Sequence, residues 1–362
     1  MAHHALWRSE GGTPPPRRVV AVDDTLTADA AFRLASEGNA LLWRGDFQNA
    51  RQLLQAIARR IDRKPRKAAT SPIESFNFHR QHQSQRARTL GMLLLPLEAD
   101  YSIPLRRAPS VKEACFETYG VGEEPSVVSL RELLGVIGAH EWRKKGVDIL
   151  ELGDRIHPHY GVFSPVRGEY LKLVNEAPLP SSKHAFDIGT GTGVLAALLA
   201  RRGVKHVVAT DQDPRALTCA HANIARLGLK GRVDVVEADL FPEGLAPLIV
   251  CNPPWLPARA NSPLEHAIYD PDSRMLFGFL NGLAAHLEPG GEGWLILSDL
   301  AEHLGLRTRE GLLAAIDAAG LNVVARLDTQ PTHPRAFDAS DPLHAARAAE
   351  VTSLWRLAVK QA

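Results

Sequence analysis

From residue 184 onward, short β-branched runs alternate with helical runs. No other feature constrains the fold of this 362-residue chain as tightly. Ala185-Phe186-Asp187-Ile188 predicts a strand, Gly189 to Gly193 a turn, and Val194 to Arg202 an Ala/Leu-rich helix. Lys205 to Thr210 predicts a second strand, ending at Asp211, and Asp213-Pro214 carries the Asp N-cap and first-position Pro of a helix start. Strands follow over Arg232–Glu237, Leu248–Cys251, Gly293–Ser298, Leu321–Leu327 and Val351–Val359, with helices over Met275–Leu287 and Leu312–Ala319. Such alternation builds a mostly parallel sheet with helices on both faces and right-handed crossovers.

The first half of the chain is less regular. Residues 1–24, with Pro14-Pro15-Pro16, read as a flexible arm. Asp29 to Ala35 reads as a helix, Ala40 to Arg44 as a strand, and the apolar spacing of Phe47, Leu53, Leu54, Ile57 and Ile61 as another helix. His79 to Leu90 predicts a helix, Met92 to Leu95 a strand, and Ser129 to Lys145 a further helix. The expected organisation is an arm, a smaller helix-rich α/β domain over 25–150 for substrate recognition, and the regular domain over 155–362. Residues 328–350, with Pro331, Pro334 and Pro342, read as a long connection.

Composition narrows the classes. Charged residues make up 23% of the chain and the formal net charge is +1, ordinary for a water-soluble fold. Cys115, Cys219 and Cys251 are too scattered for a disulfide framework or a zinc cluster. No apolar run approaches the roughly 18 residues of a membrane span, and no signal segment is evident, so a cytoplasmic setting is expected. Between Arg59 and Arg107 eleven Lys/Arg face four Asp/Glu. That excess reads either as a solvated helix surface or as a phosphate-backbone contact involving Arg63, Lys64, Arg66 and Lys67. His157 and His159 have no further ligand nearby, so a segment that closes a ligand site is expected there rather than a metal site.

The chemistry concentrates at the predicted strand ends. Gly189-Thr190-Gly191-Thr192-Gly193 lets backbone approach a ligand at a helix start. Its spacing departs from the dinucleotide fingerprint, whose third glycine falls where Val194 stands, which disfavours a nicotinamide or flavin site. Asp211 suits a pair of ribose hydroxyls, and Asp239 the exocyclic amine of an adenine. After the fourth strand, Asn252-Pro253-Pro254-Trp255 forms a rigid corner rich in carbonyls beside an indole, suited to a planar group bearing NH2.

Taken in order, Phe186 to Gly193, Asp211, Asp239-Leu240-Phe241 and Asn252 to Trp255 resemble class I S-adenosylmethionine-dependent methyltransferases, over residues 155–360. The resemblance implies a seven-stranded Rossmann-like sheet whose last strand is antiparallel. It implies S-adenosyl-L-methionine as cofactor, flanked by Asp187, Gly189, Thr190, Gly191, Gly193 and Asn252, with Asp211 at the ribose and Asp239 and Leu240 at the adenine. It also implies that Asn252, Pro253, Pro254 and Trp255 carry N-methylation of a planar nitrogen, with no metal. In this family the aromatic position more often holds Tyr or Phe, so Trp255 implies a differently shaped slot.

Two acceptors follow from the resemblance. Gly161-Val162-Phe163-Ser164 and the basic stretch resemble the small-domain methyltransferases of ribosomal RNA guanine amines, and an exocyclic RNA amine is slightly favoured. Pro165-x-Arg167-x-Glu169-x-Leu171 resembles the HemK/PrmC-type enzymes that methylate a glutamine amide of a translation protein such as a release factor. A non-catalytic cofactor- or RNA-binding module is a weaker third reading, disfavoured by the intact Asn252 tetrad.

Overall fold

The structure, a computed structural model, describes residues 5–63, 67–165, 168–260, 265, 267–332 and 334–361. It divides into two compact units, one of residues 1–70 and 77–141, the other of 71–76 and 142–362.

The first unit contains β1 (Leu6–Arg8), β2 (Val19–Val22), α1 (Ala28–Ser36), β3 (Ala40–Trp43), α2 (Phe47–Asp62), α3 (Pro72–Leu90, its first turn grouped with the second unit), β4 (Leu93–Leu97), α4 (Lys112–Tyr119) and β5 (Ser126–Ser129). Its five-stranded sheet has the order β1-β5-β4-β3-β2. The expected arm over 1–24 is therefore incorrect for the described residues. Leu6 to Arg8 pair in parallel with Ser126 to Val128, and Val19 to Val22 with Ala40 to Trp43. Proline spacing suggested extension, but extended chain beside an unpaired strand edge satisfies its donors by joining the sheet. The α3 helix begins seven residues before the expected start, because Ser71 supplies an N-terminal hydroxyl acceptor to the Glu74 N–H.

Four arginines of the basic stretch meet carboxylates. Arg60 donates to Asp29 at 2.6 Å, Arg86 to Asp62 at 3.0 Å, Arg106 to Asp24 at 3.0 Å and Arg107 to Asp46 at 2.7 Å. Lys64 and Arg66 lie outside the described residues.

A helix, α5 (Leu130–Lys145), leads to the second unit: β6 (Val147–Ile149), β7 (Asp154–Ile156), α6 (Glu169–Glu176), β8 (His184–Ile188), α7 (Val194–Arg201), β9 (His206–Asp211), α8 (Pro214–Arg226), β10 (Val233–Glu237), β11 (Ala246–Cys251), α9 (Arg274–His286), β12 (Leu287–Ser298), α10 (Leu300–His303), α11 (Arg309–Ala318), β13 (Leu321–Thr329), α12 (His344–Ala349) and β14 (Thr352–Val359). The division at 141/142 lies ahead of the expected one near 150–155. The β6–β7 hairpin places Val147, Ile149, Leu152 and Ile156 in the same core as α7. The segment expected as a bare connection over 328–350 contains α12.

Seven strands form one sheet in the order β10-β9-β8-β11-β12-β14-β13, parallel except for β14, which runs against both its neighbours. Side chains alternate between two buried faces, as a sheet covered on both sides requires. Leu248, Val250, Trp294 and Ile296 pack with α6, α7 and α8, whereas Ile249, Cys251, Leu295 and Leu297 pack with α9 and α11. Chain progression reverses between β8 and β11, and the crevice beyond the carboxyl ends of those strands is where open α/β sheets bind ligands.

One charged pair staples the antiparallel strand. Arg356 on β14 donates to Glu292 on β12 through Nε at 2.8 Å and Nη2 at 2.6 Å, and Trp294 Nε1 donates to the same carboxylate. Glu292→Ala strands a largely buried guanidinium, so it is expected to lower unfolding free energy by about 3 kcal/mol. Denaturant melts check this, and a loss no larger than that of an exposed Glu→Ala control counts against the staple.

Candidate active site

Local physics places each motif residue at one edge of the sheet. Asp187, one residue before the end of β8, is fully buried. Its Oδ2 accepts from Thr190 Oγ1 at 2.6 Å and from the Ala196 N–H at 3.0 Å, which ties the glycine turn and α7 to the strand. Its Oδ1 is buried without a hydrogen-bond partner. Burial, aided by the nearby Asp211 charge, pushes its pKa up from 3.8 to about 6.

The turn itself needs glycine for two different reasons. Gly189 has φ of 71°, and a Cβ there would stand 2.3 Å from Met275 Cε, so α9 touches the loop at this point. Gly191 has φ of 55° and faces open space within 4 Å, which leaves its backbone approachable. Asp211 holds the loop from the side: its Oδ2 accepts from the Gly191 N–H at 3.0 Å and its Oδ1 from the Asp213 N–H at 3.0 Å. Burial raises the Asp211 pKa too. Gly193 serves as the left-handed N-cap of α7.

Asp239, past the end of β10, is about half exposed and accepts from Arg274 Nη2 at 2.6 Å. Leu240 follows in the left-handed region at φ of 75°, and its carbonyl accepts from Thr210 Oγ1.

The register of β11 against β8 pairs Cys251 with Ile188, which sets Asn252 level with Gly189 at the crevice. Trp255 Nε1 donates to Asn252 Oδ1 at 2.9 Å. The indole packs between the two hydrophobic cores, so it fixes the amide as well as offering a face. A Tyr or Phe lacks that N–H. The buried Tyr170 hydroxyl lies beside the Asn252 amide, and burial drives its pKa up. After Trp255 the chain makes a Leu256–Tyr269 bridge and returns to Asp270. Burial raises the Asp270 pKa, and its carboxylate caps α9 by accepting from the Met275 and Leu276 N–H groups.

Sequence reasoning missed Tyr170, Asp270, Arg274 and Met275. The Asp270-Pro271 step is a helix-start signal that marks Asp270 in the sequence. Nothing local marks Tyr170, 82 residues before Asn252. His157 packs against α8: its N–H donates to Asn223 Oδ1, and its Nδ1 meets the Arg143 carbonyl. No group of three His, Cys, Asp or Glu able to hold a metal occurs among the described residues, and no described helix is long and apolar enough to cross a membrane. Arg167 lies outside the described residues.

A family model for the methyltransferase small domain matches residues 155–306. A Methanocaldococcus jannaschii protein named "Putative protein N5-glutamine methyltransferase" is 30% identical over 161 residues, covering 42% of this chain and 80% of that protein. The chain belongs to the small-domain methyltransferase family. A ribosomal protein L11 methyltransferase of Pelotomaculum thermopropionicum is 38% identical over 159 residues, 43% of each chain. A tRNA1(Val) (adenine(37)-N6)-methyltransferase of Pedobacter heparinus is 34% identical over 135 residues, 33% of this chain and 57% of that one. The chain thus spans less than half the length of the L11 relative, and it resembles proteins named for different acceptors.

The family's cofactor is S-adenosylmethionine, and this site fits it. The orphaned Asp187 Oδ1 is an acceptor awaiting a donor such as an ammonium group, and the open face at Gly191 leaves backbone for an approaching ligand. Without that donor Asp187 costs stability. Between pH 3.8 and 6 the folded chain holds a proton that the unfolded chain has lost, so stability falls as pH rises through that window. The loss is complete above about pH 6. It amounts to roughly 3 kcal/mol. Asp187→Asn is therefore expected to stabilise the ligand-free protein at pH 7.5, with an advantage that shrinks towards pH 5. Thermal melts at the two pH values check this, and an advantage that does not change with pH counts against it.

Proposed function

We propose that this methyltransferase transfers a methyl group from S-adenosylmethionine to the planar nitrogen of a macromolecule, and that the nitrogen is a protein carboxamide. The observation that carries the first part is the position of Asn252, level with the glycine turn across the β8/β11 crevice and held by Trp255.

Bound S-adenosylmethionine supplies an electrophilic methyl. The cofactor-holding residues are Asp187, Gly189, Thr190, Gly191 and Gly193 at the methionine end, Asp211 at the ribose, and Asp239 and Leu240 at the adenine. A planar NH2 is a poor nucleophile because its lone pair is delocalised. Asn252 Oδ1 and the Pro253 carbonyl accept its two hydrogens and draw the lone pair out of conjugation. The Asn252 oxygen keeps a lone pair for this while the Trp255 N–H occupies the other. Pro253 and Pro254 fix the backbone, so the acceptor carbonyls are aimed before the substrate arrives. The Trp255 face orients the planar group.

A glutamine amide and an exocyclic base amine present the same NH2. The relative spanned over 80% of its length is named for N5-glutamine, and this favours the amide. So does the pairing of Arg60, Arg86, Arg106 and Arg107 with carboxylates, which weakens their pull on a phosphate backbone. The base amine is the second reading, favoured by the tRNA adenine relative.

The test is transfer of radiolabelled methyl from S-adenosylmethionine into an extract of cells lacking this protein, followed by separation of protein from RNA. Label is expected in protein. Asn252→Ala is expected to reduce it by about 100-fold or more. Label confined to RNA overturns the carboxamide, and full transfer by Asn252→Ala overturns the role given to that residue.

A further inference from the structure

The α9 helix carries two interior glycines, Gly278 and Gly282, although glycine is unfavourable inside a helix. With Arg274 they are spaced four apart, so the three positions form one stripe along the helix. Three consecutive residues after β10 meet that stripe in order. Arg274 holds the Asp239 carboxylate. A Cβ at Gly278 would stand 2.6 Å from Leu240 Cδ1, and one at Gly282 would stand 2.5 Å from Phe241 Cε2. Phe241 is then stacked against Phe279, at 5.9 Å between ring centroids, and against His286, at 4.3 Å. The two glycines are therefore seats for side chains of the Asp239–Phe241 loop.

The loop needs that support. Leu240 sits in the left-handed backbone region, which a non-glycine residue keeps only when its surroundings impose it. The seat at Gly278 and the Thr210 hydrogen bond to its carbonyl do so. The stripe is itself positioned by Asp270, which caps the helix, and by Met275, which rests on Gly189. One helix thus contacts the glycine turn and the Asp239 corner together.

We infer that the Arg274–Gly278–Gly282 stripe of α9 positions the recognition of the cofactor's adenine. This rests on the reading of the crevice as an S-adenosylmethionine site. Arg274 takes one carboxylate oxygen, Oδ2, and among the described residues Oδ1 receives no hydrogen bond. That oxygen is left to accept the exocyclic amine of adenine. Arg274 keeps the carboxylate turned towards the base, and the glycine seats set its depth. A purine with a carbonyl in place of the amine offers Oδ1 no donor and sets two acceptors against each other.

Calorimetry with S-adenosylhomocysteine and its hypoxanthine counterpart, S-inosylhomocysteine, tests this. Wild type is expected to prefer the adenine ligand by about 30-fold or more, since a polar group left unpaired in a site is strongly rejected. Arg274→Ala is expected to weaken the adenine ligand about tenfold and to bring the preference down to a few-fold, with Arg274→Lys restoring part of both. The Arg274–Asp239 pair is about half exposed and contributes little to folding, so Arg274→Ala keeps the fold. Gly278→Ala is expected to weaken the adenine ligand similarly. Gly138→Ala, at a helical glycine with open space around it, is expected to change neither ligand. A purely structural role would leave the ratio of the two ligands unmoved. If wild type binds the adenine ligand and Arg274→Ala binds both with unchanged affinity and preference, the stripe has no such role while the cofactor reading stands. If wild type binds neither ligand, both readings fall.

Discussion

The buried carboxylate of Asp187 is the interaction on which the rest of the site depends. One oxygen is committed to the fold, through Thr190 and the start of α7, and that commitment closes the glycine turn. The other is left without a partner in a place with no solvent. A chain that needed only the turn would be better served by a neutral hydrogen-bonding side chain at this position, because ionised burial is unfavourable. The acid makes sense as half of an interaction whose other half arrives with the ligand. Asp211, one strand over, is likewise raised by burial, but both its oxygens accept backbone N–H groups, from Gly191 and Asp213.

The acceptor side follows a complementary rule, in which groups are fixed by neutral hydrogen bonds and packing. Asn252 is constrained by an indole N–H, with a buried phenol beside it, and the two prolines stiffen the backbone between the amide and the indole. An amide held in this way loses little freedom on meeting a ligand, which is what the proposed role of Asn252 requires. Trp255 thereby gains a purpose that Phe, which has no donor, could not fulfil. The wider ring spans the space between two cores while its N–H reaches back three residues.

Motif residues were legible because they lie at strand ends, where a polar residue after an apolar run stands out. Asp187, Asp211, Asp239 and Asn252 all belong to that class, and the seven strands of the second sheet follow from the same alternation. Tyr170 was not legible, since its relation to Asn252 exists only after α6 packs under the sheet. The glycine stripe of α9 was invisible for a similar reason. Its periodicity looks like a weak helix until Leu240 and Phe241 are seen to fill the gaps. In the first unit, β1 and β2 are edge strands of three and four residues beside proline-rich chain, where local pattern says extension and only pairing says sheet. Composition left the basic stretch open between a solvated surface and a phosphate contact, because ion pairing across the fold cannot be read from a local run. Four of its arginines find carboxylates, two of them far back in the sequence at Asp24 and Asp29.

Helix α9 links the two halves of the proposed chemistry more closely than the strand-end motifs suggest. Its first turn is capped by Asp270, which the chain reaches on returning from the Asn252 tetrad. The same turn places Met275 on the glycine loop and Arg274 on Asp239. Two non-glycine residues, Asp272 and Ser273, take left-handed backbone angles immediately before it. Consecutive left-handed residues cost about 1–2 kcal/mol each. Such a junction persists only where the residues on both sides are held, here by the cap after it and by the Leu256–Tyr269 bridge before it. The Asn252 tetrad and the Asp239 corner are therefore joined through the first turn of one helix.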